Sequence, residues 1–307
     1  MALRQERNSI AGMPRNLPLI ALVWMCGCGI AGSLPGDDGG STGGTGGIPG
    51  KCRLQTEWRP TSGFAALPDA EAAGTLCTTA EQRPLNATAN GYVPSAAELH
   101  AFLSAKDNNG ATSSAANPYS AFVTGGCGAS GRSTDDIIQC TAAKWGIPVD
   151  WLRAEYIVES GWAQIDAKTH QPETGDLENV GLTAALQYPD FSRQLSGGQP
   201  TGYVYQSLGL TQVRWTSTGT VGAGTEPLRW KSTAFNADFQ GATVRFYYDN
   251  PQHLRAQWGD ASYVAGDPWL SIGGWFNPYP WNNSAQQGYI SAVKAKLEAK
   301  PWLQSGF

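Results

Sequence analysis

The chain has 307 residues, of which 41% are hydrophobic and 15% charged, and its formal net charge is −4. That length suffices for one or two domains with a buried core. The acidic balance argues against nucleic acid as a partner.

The first segment, residues 1–27, reads as an export signal. Arg4, Arg7 and Arg15 precede a short apolar run, Leu17 to Met25, which is too short for a permanent membrane span. Met13 is an alternative start that gives a signal of more ordinary length. Met25-Cys26-Gly27-Cys28 then resembles a bacterial lipobox, with Cys28 as the lipidated residue and Cys26 standing where a small residue is usual. Plain secretion with cleavage nearby is the alternative. Removing Met1 to Gly27 takes away three Arg and one Glu, which leaves the mature chain at −6.

Residues 28–50 form a Gly-rich tether. About 20 flexible residues give a root-mean-square reach of roughly 25 Å, enough for an anchored domain to sweep the space around its anchor. Gly29 follows the candidate lipidated cysteine, and the lack of Asp there resembles outer-membrane rather than inner-membrane sorting in a cell that has both.

Export also decides the reading of the remaining cysteines: Cys52, Cys77, Cys127 and Cys140. An even count in an oxidising compartment favours two disulfides. The count leaves the pairing open; short loops favour Cys52–Cys77 and Cys127–Cys140. No metal or cofactor is called for, since a zinc site would lack a CxxC pair and His100, His170 and His253 are scattered.

Residues 51–132 are rich in Ala, Ser, Thr, Pro and Asn and read as an irregular segment packing on a main domain. The one helix signal there is Ser95 to Ser104, with Ser95 as cap and Glu98 completing a capping box. From Ser133 to Phe307 the texture changes, and ten of the twelve tryptophans lie in this stretch. Thr134 is expected to cap a helix carrying Ile137, Ile138, Ala142 and Trp145. Pro148 starts a helix through Trp151 to Ser160, stopped by Gly161. Asn236 is expected to cap Ala237 to Tyr248, and Asp267-Pro268 to open a short helix through Ile272. Ser284 would cap a last helix, with Gln287 completing a capping box and Ile290, Val293 and Leu297 facing inward. The expected class is mainly α, with long loops that can hold a small hairpin.

Three motifs carry a resemblance. Leu152-Arg153-Ala154 leads into Val158-Glu159-Ser160-Gly161-Trp162; Gly209-Leu210-Thr211-Gln212-Val213 follows; Arg245-Phe246-Tyr247-Tyr248-Asp249 comes last. In this order they resemble the lytic transglycosylase and goose-type lysozyme superfamily, over roughly residues 135–303. The resemblance implies an α+β lysozyme-like catalytic domain, residues 133–307. It implies Glu159 as the catalytic acid, Ser160 steadying substrate or acid, and Gly209, Leu210 and Gln212 lining the cleft, with Gly209 permitting close approach of a sugar. Where the family places a Tyr hydrogen-bonded to the acid, this chain has Gly274-Trp275-Phe276-Asn277-Pro278-Tyr279, so Tyr279 is the nominee.

The residues also speak for themselves. Glu159 ends its helix, where the dipole disfavours a further negative charge, and Tyr156 and Trp162 are near enough in sequence to desolvate it. Both effects favour a protonated acid. Glu155, one turn earlier on the same face, reads as a supporting or surface residue. Most glycosidases use two carboxylates; the family resembled manages with one, giving 1,6-anhydro products. A hydrolytic relative would need a water-positioning carboxylate, for which Asp166, Glu173, Asp176 and Glu178 are candidates. Trp162, Trp215, Trp275 and Trp281 are candidate sugar platforms, with core packing as the ordinary alternative.

The expected activity is cleavage of the β-1,4 bond between N-acetylmuramic acid and N-acetylglucosamine by a membrane-tethered monomer. The expected partners are peptidoglycan strands and, through the lipid, the membrane. A non-catalytic glycan-binding lipoprotein and a chitinase-like glycosidase are the alternatives. A Ser-His-Asp hydrolase lacks a GxSxG elbow in a strand-to-helix setting.

Overall fold

The structure, a computed structural model, describes residues 54–61, 83–216, 222–278, 283–304 and 307. The expected signal and tether, Cys28, Cys52, Cys77, Tyr279 and Trp281 lie outside the described residues. Of the described residues, 51% are helical and 12% lie in strands or bridges, with one small antiparallel sheet. This is the mainly α class with an α+β character that the sequence predicts.

Helix α1 (Ala96–Ser104) starts with the anticipated capping box: Ser95 Oγ accepts from Glu98 N, and the Glu98 carboxylate accepts from Ser95 N. Helix α2 (Thr134–Trp145) is capped by Ser133, not Thr134, because Asp136 answers Ser133 at the third position while Thr134 already turns with the helix. Thr134 Oγ1 instead accepts from buried Asn86. Helix α3 (Val149–Ser160) runs from Pro148 to Gly161, whose φ of 65° gives the left-handed stop.

The sheet follows. Strands β1 (Thr174–Asn179), β2 (Arg193–Ser196) and β4 (Val213–Arg214) all pair antiparallel with β3 (Gln199–Leu208). On β3 the side chains of Val204, Gln206 and Leu208 are buried, while Tyr203 is exposed, as a pleat covered on one face requires.

Helix α4 (Thr233–Asp249) begins at Ser232, four residues before the Asn236 cap the sequence suggests. Ser232 Oγ accepts from Phe235 N, and Asn236 is a buried interior residue. Helix α5 (Pro251–Trp258) follows directly, and helix α6 (Pro268–Phe276) opens at Asp267-Pro268 and runs four residues beyond Ile272. Helix α7 (Ser284–Ala299) is capped by Asn283, whose side chain accepts from Gln286 N, rather than by Ser284.

Helix α4 is buried on nearly every side, packing against α2 and α6, while α3 packs against α7. Gly241 lets α4 approach α2 closely, since a Cβ there would lie 2.5 Å from Trp145 Cδ1. Ile137, Ile138, Trp145, Leu152, Phe235, Val244, Ile272 and Val293 share one apolar core. Phe102, Val123 and Cys127 join it from before residue 133, so that stretch contributes to the core as well as lying on it.

Buried charges stitch the layers. Asp238 on α4 accepts from Lys144 Nζ (2.6 Å), Trp145 Nε1 (2.7 Å) and the backbone N–H groups of Thr124 and Gly125. Arg153 on α3 grips Asp135 on α2 through Nε and Nη2 at 2.7 and 2.6 Å. Such pairs fix which helix lies against which, since losing one partner leaves an uncompensated buried charge. Cys127 and Cys140 are disulfide-bonded, closing the segment before α2 onto that helix. This is the short-loop pairing expected for these two cysteines.

Candidate active site

Helix α3 carries Glu155 and Glu159 one turn apart, so both side chains lie on one face. That face meets α7. Tyr289 of α7 donates its hydroxyl to Glu159 Oε1 at 2.6 Å, and the same hydroxyl oxygen lies 3.3 Å from Glu155 Oε1. The Tyr289 ring is held by stacking on Phe276 of α6, with centroids 4.6 Å apart and planes at 12°. Three helices thus fix one hydroxyl against one carboxylate. Glu159 is half-buried at the end of α3.

Glu155 differs sharply. It is 0% exposed, which removes the surface alternative for it. Burial, and secondarily the charge of Glu159, push its pKa well above the usual carboxyl value; Gln240 and Tyr289 offset part of that. Gln240 of α4 faces the carboxyl, yet among the described residues neither Glu155 Oε2 nor Gln240 Nε2 has a partner at ordinary hydrogen-bond distance.

The second motif is joined to the end of α3. Ser160 Oγ donates to Leu210 O at 2.7 Å, which ties the Gly209–Val213 loop to the residue after Glu159. Gln164 Oε1 accepts from Leu210 N, and Asn236 Oδ1 accepts from Thr211 N and Thr211 Oγ1. These bonds correct the role expected of Gly209. It has φ 80°, and a Cβ there would fall 2.6 Å from Asn236 Nδ2 and 2.7 Å from Gln164 Nε2. The space beside Gly209 is filled by protein amides, so its glycine serves the loop's closure rather than a sugar's approach.

Gln212 is buried at 6% exposure, with φ 56°, and donates to Gly209 O at 2.9 Å. Its amide oxygen packs against Gly175 of β1, where a Cβ would collide with it at 2.1 Å. Gln212 therefore closes the turn and fixes β1, and its amide is engaged by protein.

The tryptophans divide. Trp162 is 2% exposed, donates Nε1 to Arg153 O and packs edge-on against Phe307, so it is core and not a sugar platform. Trp215 is half-buried against Tyr188, with the Arg229 guanidinium 5.7 Å from its ring. Trp275 is half-buried beside Phe239.

All four acidic candidates after α3 have local partners, the Glu173 side chain being hydrogen-bonded to Asp166. Asp166 accepts from the backbone of Thr169 and Lys168 and from Thr169 Oγ1, and the Thr169 N–H is the chief cause of its lowered pKa. Asp176 accepts from Ser207 Oγ at 2.6 Å, and Glu178 pairs with Arg214. Glu173 is linked by its backbone carbonyl to Gly209 N at 2.8 Å, beside the loop that reaches Ser160. In the third motif, Asp249 is held by Arg245 and Tyr119, and Arg245 also donates to Arg59 O and Pro60 O. That motif anchors an earlier segment of the chain.

Tyr289 is a site residue that the motifs do not point to. A signal is present in the sequence: Tyr289 and Val293 are four apart on the inward face of the predicted last helix, and a buried Tyr needs a partner for its hydroxyl. Asn86, Gln164 and Asn236 carry no comparable pattern. Among the described residues no group of three or more His, Cys, Asp or Glu could hold a metal ion. No protein family, curated protein or solved structure gives a significant match to the chain.

Proposed function

We propose that the chain is a peptidoglycan lytic transglycosylase in which Glu159 acts first as acid and then as base. The observation that carries this reading is the Tyr289 hydroxyl fixed 2.6 Å from Glu159 Oε1 at the end of a helix. The resembled family places a Tyr on its acid in this way, and Tyr289 is a Tyr so placed. The bond from Ser160 to Leu210 supports it further, because it brings the first two motifs together.

The chemistry needs one carboxyl group. Protonated Glu159 donates to the glycosidic oxygen as the bond to C1 of N-acetylmuramic acid breaks, with the substrate's N-acetyl oxygen stabilising C1. The C6 hydroxyl oxygen then bonds to C1 while the Glu159 carboxylate takes its proton. The product is a 1,6-anhydro sugar, Glu159 is again protonated, and no water is consumed. Tyr289 stabilises the carboxylate between the steps, since a hydrogen bond donated to a carboxylate favours the ionised form.

Export and lipidation at Cys28 belong to the same proposal, with the Gly-rich stretch as tether and peptidoglycan as the polymer within reach. Replacing Cys28 by Ser should move the protein from the membrane to the soluble fraction; unchanged fractionation would count against the anchor.

The deciding experiment is product analysis on purified peptidoglycan with wild type and Glu159→Gln. Wild type should release 1,6-anhydro ends. Glu159→Gln should lose activity by at least the roughly 10²–10⁴-fold that general acid-base catalysis contributes. Reducing ends would move the enzyme to the hydrolases. Binding without turnover in wild type would make the chain a glycan-binding protein.

A further inference from the structure

Glu155 has no part in the chemistry proposed for Glu159, yet it is a fully buried carboxyl group that shares a hydroxyl with it. The geometry restricts what Glu155 can be. A tyrosine hydroxyl has one proton. Two carboxyl oxygens lie within reach of Tyr289 Oη, Glu159 Oε1 at 2.6 Å and Glu155 Oε1 at 3.3 Å. The 2.6 Å bond is much the shorter and so the stronger, and the Tyr289 O–H therefore points at Glu159 Oε1. The 3.3 Å contact is then a hydrogen bond only if Glu155 supplies the hydrogen.

The surroundings agree with a neutral Glu155. Among the described residues the titratable groups facing it are Glu159 and Tyr156 on α3 and Tyr289 on α7, and none of these is a cation. From α4 it meets the uncharged amide of Gln240. An ionised Glu155 would be a buried negative charge beside Glu159, with Oε2 lacking a hydrogen-bond partner among the described residues.

We infer that Glu155 is a positioning residue: its neutral carboxyl donates to Tyr289 Oη, and this commits the single Tyr289 proton to Glu159 Oε1. The chain runs Glu155 to Tyr289 to Glu159, each link strengthening the next. It supports the carboxylate that Glu159 becomes after giving up its proton, and it adds no charge of its own. The catalytic consequence rests on the role proposed for Glu159. The hydrogen-bond chain itself is a property of the resting protein.

The test is therefore made on the resting protein, by 13C NMR titration of the full mature chain labelled at the glutamate side-chain carboxyl carbon. The variants E155Q and E159Q assign the two resonances by their disappearance. The Glu155 signal should remain that of a neutral acid through neutral pH. The Glu159 titration should move to higher pH in Y289F by roughly one to two units, the equivalent of a hydrogen bond to a charged group. E155L, which fills the site but cannot donate, should move it the same way by less, with no further effect in the Y289F background. E155Q, whose amide can donate to Tyr289, should leave the Glu159 titration in place.

An ionised Glu155 at neutral pH would overturn the inference. So would a downward shift of Glu159 in E155Q, which would mean that a negative charge had been removed. An E155L shift that persists undiminished in Y289F would also overturn it, since Glu155 would then act by another route. Should E155L fail to fold, E155Q and Y289F decide the matter alone. If E159Q still cleaved peptidoglycan, the proposed function would fail, while the titration would still decide whether Glu155 donates to Tyr289.

Discussion

Tyr289 Oη and Glu159 Oε1 meet at 2.6 Å although the two residues are 130 positions apart and lie on different helices. Phe276 stacks on the Tyr289 ring from a third helix, so the contact depends on α3, α6 and α7 together. Replacing Tyr289 by Phe removes one hydroxyl and keeps the ring stack. A hydrogen bond to a charged group is worth roughly 1.5–3 kcal/mol. Turnover on peptidoglycan should accordingly fall by roughly 10–100-fold, with the far-ultraviolet circular dichroism unchanged. Wild-type turnover in this variant would remove Tyr289 from the site.

Gly209 and Gly161 both have positive φ, 80° and 65°, but their surroundings differ. A Cβ on Gly161 meets nothing within 4 Å, whereas one on Gly209 runs into the amides of Asn236 and Gln164. Gly161→Ala should cost only the conformational term, roughly 1–2 kcal/mol. Gly209→Ala should cost more, roughly 3 kcal/mol or above, because it also displaces the bonds that hold Leu210 and Thr211. Urea unfolding of the two variants compares them. Equal losses would show that the crowding at Gly209 relaxes freely.

The Cys127–Cys140 bond spans 13 residues, and closing a loop of that size stabilises by about 3 kcal/mol in the chain-entropy account. Replacing both cysteines by Ser should lower the unfolding free energy by that order, read from the urea midpoint. Thiol titration of the unfolded, unreduced mature protein should find Cys52 and Cys77 blocked as well. Free thiols at those two positions would leave Cys127–Cys140 as the one disulfide of the pair expected.

The ends of α3 are legible in the sequence because Pro148 and Gly161 each have a backbone preference that needs no tertiary partner. Other helix starts are displaced for a physical reason. Ser133-Thr134 and Asn283-Ser284 each offer two adjacent capping residues, and the structure uses the first of each pair. Asn236 looks like a cap, but its amide is spent inside α4 on Leu208 O, Arg229 O and Thr211 N, so the helix starts at Ser232. Local sequence cannot anticipate that demand, since it comes from a loop 25 residues earlier. Glu159 is legible for the opposite reason: helix, terminus and motif are contiguous. Tyr289 is legible only as an inward-facing position, because its partner lies 130 positions away and local sequence does not name it.

The last prediction concerns Glu155 and its pH dependence. In the unfolded chain this carboxyl ionises near its model value of 4.5, while in the folded protein burial keeps it protonated well above that. Below about pH 4.5 both states hold the proton, so the group adds no pH dependence. Above it, unfolding releases a proton that the folded state retains, and rising pH favours unfolding until the folded Glu155 ionises in turn. Glu155→Gln removes this release. The stability of Glu155→Gln should therefore gain on wild type as pH rises from 4.5, with a slope approaching about 1.4 kcal/mol per pH unit. Urea unfolding of both proteins at a series of pH values from acid to neutral measures that difference. Parallel stability curves over the range would mean that Glu155 ionises alike in both states, and that its burial does not hold the proton.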